Sequence, residues 1–87
     1  MVTKQFTILN EKGFHARPAG MLAKVVKASD SQVHMQIKEK RVDCRSIITL
    51  MTTAVRQGEE VEILVDGQDE SALMQEIEGL FLNGFGE

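Results

Sequence analysis

Two kinds of apolar spacing share this chain, and together they leave few architectures open. Val33, Met35 and Ile37 alternate with Gln32, His34, Gln36 and Lys38, while Val61, Ile63 and Val65 alternate with Glu60, Glu62 and Leu64. A period of two belongs to a strand with one buried face. Ala19, Leu22, Ala23 and Val26 instead fall at i, i+3, i+4 and i+7, the spacing of a helix with one apolar stripe. Leu73, Ile77, Leu80 and Phe81 supply a second such stripe. One-sided strands and one-sided helices bury their apolar faces against each other. The pattern therefore predicts an α+β fold in two layers, helices on one sheet face.

Local signals supply the remaining elements. Residues 3–9 mix β-formers with polar side chains and read as a first strand, followed by turn chemistry at 10–13. The first helix is predicted over 16–28, broken by Ser29-Asp30-Ser31. A charged turn at 38–40 leads to a short strand over 41–44. Ser46 is placed to cap a brief helix ending near Gln57-Gly58, where glycine suits a left-handed C-terminal position. Asp66-Gly67 turns the chain, Asp69 is a candidate N-cap for the last helix, and Asn83-Gly84 ends it. The predicted order is β-α-β-β-α-β-α. With 87 residues and no linker, internal repeat or low-complexity stretch, residues 1–87 read as a single domain.

Composition closes off several classes of function. The net charge of −3 argues against broad electrostatic binding to nucleic acid, and four Phe with no Trp or Tyr offer no stacking platform for single strands. No apolar run is long enough for membrane insertion and none resembles a signal-peptide core. The lone Cys44 cannot form an intramolecular disulfide and reads as a small core or strand-end residue. These features point to the cytoplasm. His15 and His34 sit on different elements without zinc-like ligand spacing, so no metal or cofactor is expected. His34 falls on the polar side of its strand and reads as solvated.

The chemistry concentrates in Gly13-Phe14-His15-Ala16-Arg17-Pro18-Ala19. Proline is tolerated in a first helical turn, where backbone N–H groups lack intrahelical partners. His15 then falls at or just before the N-cap, beside unpaired N–H groups and the positive dipole end. A dianion fits there, and a histidine in that place could itself carry a phosphoryl group. A cation is mildly disfavoured at this end of a helix, which suggests that Arg17 pairs with an incoming phosphate. On residues alone, a solvated loop histidine and an ordinary first-turn arginine remain open readings.

That segment resembles the active-site signature of the histidine-containing phosphocarrier family HPr of the sugar phosphotransferase system. Ser46-Ile47-Ile48-Thr49-Leu50-Met51 is similar to the family's regulatory-serine segment, and the 58–63 stretch and the separation of the blocks fit as well. The resemblance implies an open-faced β-sandwich, with three helices on one face of a four-stranded antiparallel sheet. It implies that His15 accepts a phosphoryl group from enzyme I and passes it to the A domain of a sugar-specific enzyme II, through Nδ1. The protein would then be an obligatory intermediate and not an enzyme. Backbone N–H groups near Ala16 and Arg17, with the Arg17 guanidinium, would cradle the phosphoryl oxygens.

The segment after Ser46 has two readings. Ile47, Ile48, Leu50, Met51, Ala54 and Val55 spread over roughly 160° of a helix at 3.6 residues per turn, wider than a stripe of about 100° that faces a core. A generous core stripe would explain that; so would an exposed apolar patch of Ile47, Ile48 and Met51 for protein docking. The resemblance favours docking and adds Phe14 to the face. Ser46 is equally a plain N-cap or a regulatory site. Its phosphorylation would add about −1.5 to −2 charges beside the patch. In relatives from low-GC Gram-positive bacteria a serine kinase/phosphorylase acts on this residue, and the modified protein is a corepressor with a catabolite control transcription factor. In this chain Ile48 stands where the family often has methionine, Thr49 where it often has glycine, Thr52-Thr53-Ala54 where serine or glycine is common, and Gly20 where serine or threonine is usual. Those departures bear on the kinase and corepressor partners.

Overall fold

The computed structural model describes residues 1–53 and 55–86. Its elements are β1 (Val2–Thr7), α1 (Ala16–Lys27), β2 (Gln32–Ile37), β3 (Lys40–Asp43), α2 (Ile47–Thr52), β4 (Glu60–Asp66) and α3 (Glu70–Leu82), then a 3₁₀ turn at Gly84–Gly86. The sheet runs β1-β4-β2-β3 with every neighbouring pair antiparallel. The predicted α+β open-faced sandwich is the observed one.

Alternation decides which sheet face meets the helices. Val33, Met35, Val61, Ile63 and Val65 point inward and are buried against Leu22, Ala23 and Val26 of α1 and Leu73, Ile77 and Phe81 of α3. At roughly 1.5–3 kcal/mol for each large side chain withdrawn from water, this packing dominates the fold's stability. Cys44 belongs to the same core, and burial, with Asp43 adding to it, pushes its thiol up to about 12. Such a thiol is inert. On the open face Thr3, Leu64, His34 and Asp43 stand in one cross-strand row. Leu64 and His34 are less exposed than alternation predicts, buried and half-buried respectively. Both lie on the two inner strands, where neighbours flank them on either side.

One predicted boundary is corrected. The second helix ends at Thr52, well short of Gln57-Gly58. Thr52 Oγ1 donates to the Ile48 carbonyl (2.9 Å) and Thr53 Oγ1 to the Thr49 carbonyl (2.6 Å), the back-bonding that weakens helices at threonine. Gly58 is left-handed (φ +88), as expected of its type. It serves a turn in which the Glu59 N–H donates to the Arg56 carbonyl (3.1 Å) and Glu59 Oε1 accepts from the Arg56 N–H (2.7 Å). Ala54, counted in the apolar stripe of that helix, lies outside the described residues.

Asp69 is the N-cap residue of α3, but its side chain does not cap. Its carboxylate accepts the Ser29 hydroxyl (2.6 Å) and the Ser31 hydroxyl, tying α3 to the end of α1. These two bonds, Ser29 first, hold Asp69 below the usual carboxylate range. The ionised form is therefore favoured in the folded state. Its stabilisation is fully present above the unfolded value of about 4 and is lost as pH falls through the lowered folded value. Urea unfolding should show wild type more stable than Asp69→Ala near neutral pH, with the gap closing in acid below about pH 4. A gap independent of pH would show that the carboxylate's charge is not what the serines hold.

Candidate functional site: the loop and helix start at His15

The segment leading into α1 is built from backbone contacts. The Gly13 N–H donates to the Asn10 carbonyl (2.9 Å), closing a turn, and the Phe14 N–H donates to the Val55 carbonyl (3.1 Å). Gly13 is left-handed (φ +68), and a Cβ there would lie 2.1 Å from the Val55 oxygen. Only glycine fits both demands. The Phe14–Val55 bond joins the loop to the segment that trails α2, and α1 packs against α2 directly. The two sequence blocks, at 13–19 and 46–51, thus share one end of the molecule.

His15 is the N-cap residue of α1, in extended conformation (φ −83, ψ −165). Its ring is half-buried, with Nε2 withdrawn from solvent. The first intrahelical bond runs from the Ala19 N–H to the His15 carbonyl (3.1 Å). The amides of Ala16 and Arg17 therefore lie in the first turn, where no helical acceptor precedes them. Pro18 follows as a buried residue without an N–H. The first turn carries no acidic side chain, whereas Lys24 and Lys27 occupy the last turn. The dipole thus meets favourable charge at its C-terminal end and nothing negative at its N-terminal end. Arg17 is exposed, and its Nη2 would lie 3.7 Å from a Cβ placed on Gly86. The C-terminal turn sits beside the guanidinium. This arrangement can receive an anion on helix amides and an exposed cation, next to an imidazole.

The expected docking residues divide. Ile48 (75% exposed), Met51 (44%) and Ile47 (36%) lie open on α2, while Leu50 carries its core contact. Phe14 does not join that face. It is 3% exposed and packs its ring edge-on to Phe85 (centroids 5.4 Å apart) and tilted against Phe81 (6.2 Å). A large ring preceding the site gains more from this aromatic pocket than from solvent. Ser46 caps α2: its Oγ accepts from the Thr49 N–H (3.2 Å) and shares a hydrogen bond with Thr49 Oγ1 (2.8 Å). Sequence reasoning missed two residues here. Asn10, buried, donates its side-chain N–H to the Gly84 carbonyl (2.7 Å), and Phe85 closes the aromatic cluster. A polar residue in a turn and a phenylalanine between two glycines carry no periodicity that would have flagged them. A cleft of about 580 Å³ beside the loop is lined by residues 9–12 with Gln57, Leu82, Asn83 and Gly84, and not by His15.

A family profile described as the "PTS HPr component phosphorylation site" matches residues 2–83. The chain belongs to the HPr family of phosphocarrier proteins. It is 39% identical to the phosphocarrier protein HPr of Treponema pallidum (strain Nichols) over 87 residues, covering all of this chain and 99% of that one. It is 32% identical to the phosphocarrier protein HPr of Xylella fastidiosa (strain Temecula1 / ATCC 700964), again over the full chain and 98% of the relative. Among solved structures it is similar to HPr-C-His from Thermoanaerobacter tengcongensis, with a TM-score of 0.94, 31% identity, and coverage of 100% of this chain and 98% of that one. Membership of this family makes the chain a non-enzymatic phosphocarrier of the phosphotransferase system.

Two contrasts test the site's construction. Phe14→Ala should cost about 3–5 kcal/mol in urea unfolding, whereas Ile48→Ala should stay within about 0.5 kcal/mol. Equal, small effects would return Phe14 to the surface. Gly20 lies within α1 with nothing near a built Cβ, so Gly20→Ala should stabilise by about 0.5–1 kcal/mol. Gly13→Ala should destabilise by more than about 1 kcal/mol, and its cost would report the Val55 contact.

Proposed function

We propose that His15 accepts a phosphoryl group from phosphorylated enzyme I and passes it to the A domain of a sugar-specific enzyme II. The observation that carries this reading is the place of His15 at the head of α1, beside the Ala16 and Arg17 amides and the exposed Arg17 guanidinium. Because Nε2 is withdrawn from solvent, Nδ1 is the nitrogen assigned to attack. Its lone pair forms the N–P bond as the bond from phosphorus to the donor atom breaks, and that bond's electron pair stays with the donor. The return step to the acceptor is the same exchange in the other direction. Such transfer asks for positioning and charge stabilisation more than for covalent help. The helix-end amides and Arg17 supply both to the oxygens. Ile47, Ile48 and Met51 form the face on which donor and acceptor dock in turn. A carrier in this relay would work in the cytoplasm. No described helix is long and apolar enough to cross a membrane.

A second role rests on Ser46. It heads the helix that bears the exposed isoleucines and Met51, so a phosphate there would set charge against the docking face. A serine kinase/phosphorylase and a catabolite control transcription factor would be the partners of that form.

Incubation with phosphoenolpyruvate and enzyme I should add one acid-labile phosphoryl group to the wild type, read as intact-protein mass, and none to His15→Ala. Full labelling of His15→Ala would overturn the assignment. Ser46→Ala should leave that labelling intact and abolish ATP-dependent labelling by the kinase.

A further inference from the structure

All four phenylalanines of the chain meet in one cluster, and one of them holds an unusual conformation. Phe85 is left-handed (φ 55, ψ 30) yet 1% exposed, a backbone region that bulky residues seldom occupy. Gly84 and Gly86 on either side are left-handed as well. The helix α3 needs none of this, because Phe81 already fills its place in the core, stacked on Phe6 (4.5 Å). Strained conformations persist only where the surroundings over-determine them, and they gather at functional sites.

What determines this turn is visible. The Asn10 amide nitrogen donates to the Gly84 carbonyl (2.7 Å) from a side chain 5% exposed. The Asn10 carbonyl accepts the Gly13 N–H (2.9 Å) in the turn that delivers Phe14 and His15. One residue therefore grips both the phosphoacceptor loop and the C-terminal turn. The Phe85 ring meets Phe14 edge-on, at an interplanar angle of 81°, and so forms one wall behind the residue preceding His15. A Cβ on Gly86 would stand 3.7 Å from Arg17 Nη2, so the turn runs beside the guanidinium. The same turn thus backs the residue before His15 and stands beside Arg17.

We propose that Asn10 and the 84–86 turn form a clasp that positions His15 and Arg17 for transfer. Neither Asn10 nor Phe85 touches the phosphoryl group; they are positioning residues. Opening the clasp lets the strained turn relax, withdraws the wall from Phe14, and frees the His15 ring and Arg17 to leave their transfer geometry. A misplacement of about 1 Å can cost as much as a hundredfold in rate, so a partial loosening should cost about tenfold. The inference rests on the phosphocarrier reading.

The test uses Asn10→Asp, which keeps size but removes the donor, and Phe85→Leu, which keeps an apolar residue but removes the ring edge. Asp69→Ala is the control for stability alone. Asp69 bonds to Ser29 and Ser31, beyond the far end of the twelve-residue α1 from His15. Both clasp variants should shift the ¹⁵N resonances of the His15 ring in the unphosphorylated protein. Both should lower the rate of phosphorylation by enzyme I at saturating carrier about tenfold, with KM for the carrier held. Asp69→Ala should lose thermal stability and change neither. If the clasp variants lose stability but leave the ring resonances and the saturating rate where Asp69→Ala leaves them, the clasp is structural only and the proposal is wrong. A raised KM with an unchanged saturating rate would also overturn it, by making the turn a docking element. The ring measurement needs no phosphoryl donor. Failure of wild type to become labelled would therefore count against the carrier reading, and unmoved ring resonances against the clasp.

Discussion

The close approach of the Val55 carbonyl to Gly13 is the contact on which the placement of the site depends. It brings a peptide oxygen to where any other residue would carry a Cβ, and it takes the Phe14 N–H as a hydrogen bond. The loop cannot move outward without breaking that bond, nor carry a larger residue without displacing backbone. His15 thus enters α1 from a fixed direction, and the segment trailing α2 is fixed relative to it by the same contact. The sheet supplies rigidity from behind through β1 and β4, whose pairing is continued by Ile8 with Gly58 and Glu59 up to this corner.

Much of this is readable in the chain because buried periodicity leaves little freedom. The strands β2 and β4 bury one face each, and a slip of one residue would turn Val33, Met35 and Ile37 out to water. The stripes of α1 and α3 are equally one-sided, so element order and layering follow. The placement of His15 at a helix start follows from Gly13 and Pro18, two residues whose backbone limits are intrinsic. Asp69 stands at the expected position for a different reason. A carboxylate beside a helix start reads as a cap, yet two serines distant in sequence have the stronger claim on it.

The remainder is illegible because it depends on contacts between distant segments. The length of α2 turns on threonine hydroxyls choosing helical carbonyls, which spacing does not record. Phe14 reads as a surface neighbour of His15, although residues adjacent in a loop need not share a direction. Its burial depends on Phe81 and Phe85, at the other end of the chain. The Asn10–Gly84 bond spans a similar separation. No local pattern contains such pairs.

A carrier that docks donor and acceptor on one face, as we propose, must leave both quickly, which limits how much that face can offer. A large rigid apolar surface would hold its first partner too long. The α2 face is small, and the hydroxyls of Thr49 and Thr52 on it are already bonded. The Thr49 hydroxyl is paired with Ser46 Oγ and the Thr52 hydroxyl with the Ile48 carbonyl. On the proposed reading a partner at this patch meets the exposed Ile47, Ile48 and the adaptable Met51. It need not match hydroxyl geometry, so two unrelated partner surfaces can use the same patch. The β-branched residues that shorten the helix thereby also make its exposed face less demanding. Under the proposed relay, specificity for the reaction is left to the fixed corner at His15, where position counts for more than contact area.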